Sequence, residues 1–92
     1  MTNKSQITLT VVVNGRPTDV TENMKAPLHV IIPKALAQTN THGQPPENWE
    51  LRDAAGVELP LDQQIESFNF PPGTKLFLNL RAGIGGAPVG AW

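Results

Sequence analysis

A run of alternating, mostly β-branched residues, Ile7 to Val13, leads straight into Asn14-Gly15, and this junction restricts the fold more than any other feature of the chain. In an extended strand Ile7, Leu9, Val11 and Val13 share one face, while Thr8, Thr10 and Val12 take the other. Asn-Gly then supplies the two positive φ angles that a tight type I′ turn requires. The sequence therefore predicts a hairpin, with Arg16 to Glu22 returning antiparallel and Thr18, Val20 and Glu22 on one side. Pro17 contributes no amide to the ladder, which assigns the second strand to an edge or Pro17 to a strand start.

Between Pro27 and Thr39 the pattern changes period. Leu28, Ile31, Ile32, Ala35 and Leu36 recur at helical spacing and form one apolar stripe, whose natural partner is the inner face of the hairpin. Pro27 suits a first helical turn. Pro33 lies inside the pattern, where proline costs about 3 kcal/mol, so a kink or an irregular first turn is expected. Thr39 to Pro46 is turn chemistry, with Gly43 placed for a positive φ. Trp49 to Asp53 then reads as a strand with Trp49 half-buried, Ala54 to Gly56 as a turn and Val57 to Leu59 as a short further strand. Leu61, Ile65 and Phe68 at i, i+4 and i+7 suggest a helical turn or two. Lys75 to Leu80 alternates as a last strand, with Leu76, Leu78 and Leu80 inward and Phe77 and Asn79 outward. From Arg81 the residues are small and glycine-rich, which predicts a tail held outside the core.

The chain is 92 residues long with a net charge of -1, enough for one modest core and without the charge imbalance that marks a nucleic-acid or membrane-surface binder. No apolar run is long enough to span a bilayer, and the polar start, Met1 to Gln6, lacks the apolar stretch of a secretory signal. With no cysteine, thiolate metal sites, disulfides and a cysteine nucleophile are excluded, and a cytoplasmic setting is expected. His29 and His42 lack carboxylate neighbours at ligand spacing, and Asp19, Glu22, Asp62 and Glu66 form no acid and base pair. No cofactor is implied. The order hairpin, helix, two strands, short helix, strand describes an α+β architecture in which one helix crosses one face of a mixed sheet of four to five strands, a β-grasp.

Within that order, Gly43-Gln44-Pro45-Pro46 after the helix is similar to the Gly-x-Pro-Pro turn of ubiquitin. Lys75-Leu76-Phe77-Leu78-Asn79-Leu80-Arg81 followed by Gly85-Gly86 resembles its last strand, arginine and diglycine. The resemblance covers Ile7 to Gly86. With Ala87 to Trp92 beyond the diglycine, the chain resembles bacterial ubiquitin-like modifiers that carry a C-terminal extension. The expected organisation is a flexible start over 1–6, a ubiquitin-like domain over 7–80, a flexible diglycine tail over 81–86 and an extension over 87–92 that processing removes.

The resemblance implies a substrate rather than an enzyme. A processing peptidase would cut between Gly86 and Ala87. An activating enzyme would then adenylate the new carboxylate, and a conjugating enzyme would deliver it to an amine on a protein target. Gly85 and Gly86 form the reactive end because only an unbranched backbone lets a partner close around it. By the same resemblance Arg81 would contact the activating enzyme, although the linker Ala82-Gly83-Ile84 is one residue longer than ubiquitin's and lacks its second tail arginine. Ubiquitin's main recognition patch corresponds to Arg52, Phe77 and Asn79, of which only Phe77 stays apolar and available as an anchor. Trp92 would be read by the peptidase or dock on a neighbouring molecule, associating copies through the tail. Lys4, Lys25, Lys34 and Lys75 are all candidate acceptors for chain formation. Two other readings compete: a sulfur carrier ending in a thiocarboxylate, and a non-covalent or self-assembling β-grasp module that uses Phe77 or Trp92.

Overall fold

A computed structural model of the chain describes residues 5–81. Strands β1 (Gln6–Val13) and β2 (Arg16–Asn23) form the expected hairpin, paired antiparallel from Gln6 opposite Asn23 to Val13 opposite Arg16. Asn14 at φ 52 and Gly15 at φ 80 make the turn, and both angles lie in the left-handed region that the sequence anticipates there. Strand β3 (Trp49–Arg52) and strand β4 (Lys75–Leu80) complete the sheet in the order β2-β1-β4-β3. The two central strands β1 and β4 are parallel, and both outer pairs are antiparallel. Pro17 thus sits on an edge strand, where its missing amide removes no ladder bond.

One face of this sheet is covered by helix α1 (Ile31–Gln38), preceded by a 3-10 turn over Leu28–Val30. Pro33 falls at the third position of α1, where a backbone N–H has no intrahelical partner in any helix, so its ring costs no hydrogen bond. The tight 3-10 turn before it is the irregular start that the proline foretells. At the other end the Asn40 amide donates to Ala37 O at 3.1 Å and the Thr41 amide to Leu36 O at 2.8 Å, with Asn40 at φ 56. This is a Schellman closure built on asparagine. The Thr39 hydroxyl adds a bond to Ala35 O at 2.9 Å.

The core is the sheet face beneath α1. Leu9, Val11, Val13, Leu51, Leu76 and Leu78 from the strands meet Leu28, Ile31 and Ala35, all with no exposed surface. Ile65, in a 3-10 turn over Ile65–Phe68, closes one end. Backbone bonds from Leu28 N to Gln63 O and from Ile65 N to Ala26 O, 2.8 and 2.9 Å, tie that segment to the start of the helix. Leu61 and Phe68 pack partly buried against the core of which Ile65 is a member.

Two expectations about the middle of the chain are corrected. Trp49 is not half-buried but 3% exposed, because β3 lays it directly on the core, with its indole N–H 3.5 Å from Gln44 O. Val57 to Leu59 does not form a strand. Arg52 and Glu58 make one isolated bridge, and only three residues separate Gly56 from Pro60, too few to lay down a ladder. The sheet accordingly has four strands.

Candidate functional site

Strand β4 is flanked on both sides and buries Leu76 and Leu78, so the point at which the chain leaves the sheet is set by one of its two central strands. Leu80, the last inward residue, is only half-buried. Arg81 follows, and it is held. Its backbone amide donates to Asn48 O at 2.9 Å, its Nε to Glu47 O at 3.3 Å, and its Nη1 lies 3.3 Å from Glu58 Oε2. Arg81 therefore leaves the strand with a fixed direction. It borders a shallow groove walled by Ile32, Pro33, Pro46 and Leu61, with His29 and Asp62 at its rim.

Glu58 also approaches Arg52, with 4.0 Å between Oε1 and Nη2. The Arg52 guanidinium is occupied further by Glu50 Oε2 at 2.7 Å from Nε and by Gly56 O at 2.7 Å from Nη1. The hydrogen bond that Arg52 Nε donates to Glu50 raises the Arg52 pKa above its ordinary value, with the charges of Glu50 and Glu58 acting in the same sense. A chain of alternating charge thus runs Glu50, Arg52, Glu58, Arg81 along one side of the sheet. Glu58 and the carbonyls of Glu47 and Asn48 were not legible as partners of Arg81. Nothing in the local sequence marks them, since the 47–48 turn and residue 58 meet Arg81 only in three dimensions.

No helix among the described residues covers the sheet face opposite α1. Phe77 is half-buried there, and the register aligns Pro17, Val12, Phe77 and Arg52 in one row across all four strands. The sequence places Val12 and Phe77 on outer faces, and the parallel pairing of β1 with β4 is what makes them neighbours. Asn79 is exposed beside them. His29 and His42 are both exposed, and no cluster of His, Cys, Asp or Glu able to hold a metal occurs among the described residues. No helix among the described residues is long and apolar enough to cross a membrane. Gly85, Gly86, Ala87 and Trp92, together with Lys4, lie outside the described residues.

Residues 2–86 match the model of the family described as "Protein of Unknown function (DUF2604)". The chain belongs to that family. Among curated proteins, the uncharacterized protein y4jI of Sinorhizobium fredii is 49% identical over 82 residues, which is 89% of this chain and 63% of that protein. The DUF2604 chain thus spans under two thirds of this relative's length. Among solved structures, a de novo design based on ubiquitin superposes with a TM-score of 0.72 at 23% identity, covering 92% of this chain and 100% of the design. The ubiquitin of Caldiarchaeum subterraneum gives 0.67 at 22% identity, covering 87% and 99%. At that level of identity the likeness establishes the fold: this DUF2604 chain is a ubiquitin-like β-grasp.

Proposed function

We propose that this chain is a bacterial ubiquitin-like protein modifier. A dedicated peptidase cuts after Gly86, an activating enzyme adenylates the exposed carboxylate, and a conjugating enzyme transfers it to an amine of a target protein. The chain is the substrate of these steps and supplies no catalytic group of its own. The observation that carries this reading is the path of the chain at its C-terminal side. A ubiquitin-like head sends its central strand β4 out to a fixed Arg81, and Gly85-Gly86 follows after three further residues, Ala82-Gly83-Ile84. Support comes also from the extent of the family match, whose last matched position is Gly86.

The held Arg81 changes one detail of the scheme. With its guanidinium shared between Glu58 and the Glu47 carbonyl, its role in the reading is to aim the tail, and a partner that grips it must displace an exposed pair worth about 0–1 kcal/mol. The test uses the full chain, tagged at its N-terminus in the organism that makes it. Wild type is expected to give a set of higher-mass adducts that survive denaturation, and Gly86→Glu is expected to abolish them while leaving the protein folded. Adducts that persist in Gly86→Glu, or their absence from wild type, would sink the reading.

A further inference from the structure

The described lysines are not equivalent. Lys34, on the exposed side of α1, holds Glu22 in an ion pair and reaches the Thr21 carbonyl at 3.4 Å, so its ammonium is engaged along the β2 edge. Lys25 lies 3.5 Å from Glu66. Lys75 is exposed at the start of β4 and forms no ion pair or side-chain hydrogen bond among the described residues. Across the sheet it faces Thr10, whose hydroxyl already binds Asp19 at 2.9 Å, so the carboxylate in this row is engaged elsewhere.

A second observation, independent of charge, singles out the same residue. Lys75 and Phe77 are two positions apart on one strand and point to the same face, about 7 Å from each other along the chain. Phe77 and its neighbour Val12 are apolar and half-buried, and no helix or other strand among the described residues covers them. Lys25 and Lys34 have no such footing, since one is in the loop after β2 and the other on the helix. An acceptor amine needs both freedom to reach a reactive carbonyl and a surface by which its carrier is held still.

We propose that Lys75 is the acceptor through which a second copy of this chain is attached. This rests on the modifier reading above. The donor copy arrives with its Gly86 carboxyl held as an ester or thioester on a carrier protein. The lone pair of a deprotonated Lys75 Nζ attacks that carbonyl carbon, forming the amide C–N bond. The C–O or C–S bond to the carrier breaks, and the carrier's hydroxyl or thiol leaves with the proton that the nitrogen loses.

Trypsin provides a direct readout, because cleavage after Arg81 of a donor leaves Ala82-Gly83-Ile84-Gly85-Gly86 as a branch on the acceptor lysine. In peptides from the native host this branch is expected on Lys75 of the chain itself. Lys75→Arg is expected to remove the self-conjugates while branches on other proteins persist. Branches on other proteins with none on this chain, or on Lys4, Lys25 or Lys34 instead of Lys75, would overturn the assignment and leave the modifier reading standing. Absence of the branch from every protein would overturn both. Limiting acylation of the folded protein with an N-hydroxysuccinimide ester tests the premise without any partner. Lys75 is expected to react roughly two- to fivefold faster than Lys34, the range an exposed ion pair imposes; equal rates would remove the argument.

Discussion

Glu22 and Lys34 show how a single pair can make a surface position sensitive to acid. The hydrogen bond from the Lys34 ammonium holds the Glu22 carboxyl below its ordinary pKa, against the opposing effect of partial burial, and the Asn23 amide at 3.1 Å works in the same direction as Lys34. A carboxylate whose folded pKa is depressed contributes stability that is fully present above its unfolded value, about 4.3, and is lost as pH falls through the folded one. Glu22→Gln should therefore lower stability by about 0.5–1 kcal/mol at neutral pH. The gap should close as pH falls below about 4. Urea unfolding of both proteins at the two pH values checks this, and an unchanged gap in acid would show that the gap does not come from the charge of Glu22. The same scale explains why the Asn14-Gly15 turn could be read directly. Its two positive φ angles depend on the identity of two adjacent residues and on little else.

Among the elements, α1 tests how far a local rule depends on position. Pro33 in a helix interior would cost about 3 kcal/mol, but at the third position it displaces no bond. Pro33→Ala is accordingly expected to shift stability by less than about 1 kcal/mol in either direction. Thermal or urea unfolding measures it, and a gain approaching 3 kcal/mol would mean that the ring strains the helix after all. The strands of the hairpin and β4 were legible because alternation alone decides which side chains go inward. Val57 to Leu59 was not, since its two backbone bonds, Asp53 N to Val57 O and Leu59 N to Leu51 O, enclose a single bridged pair before Pro60 ends the run. Trp49 went deeper than expected because its burial depends on how β3 sits over the core, which no local pattern encodes. The end of α1 was readable in principle from Asn40, an asparagine one residue past the helix cap.

At the scale of the whole molecule, the order of elements was sufficient for the β-grasp, since one amphipathic helix and one mixed sheet leave few ways to bury a single apolar stripe. The surroundings of the chain exit were not, because Arg81 meets Glu58 and the 47–48 turn across long sequence separations. The same holds for Val12 and Phe77, which lie side by side only through the parallel pairing at the centre of the sheet. These long-range placements are what turn a likeness of sequence into a specific head, a fixed exit and a graded set of amines. The most direct measurement is the intact mass of the N-terminally tagged chain recovered from its native host. Loss of Ala87 to Trp92, giving a protein that ends at Gly86, is expected, with Gly86→Glu remaining full length. A wild-type chain that retains all 92 residues in those cells would contradict the proposal that its diglycine carboxylate is put to use.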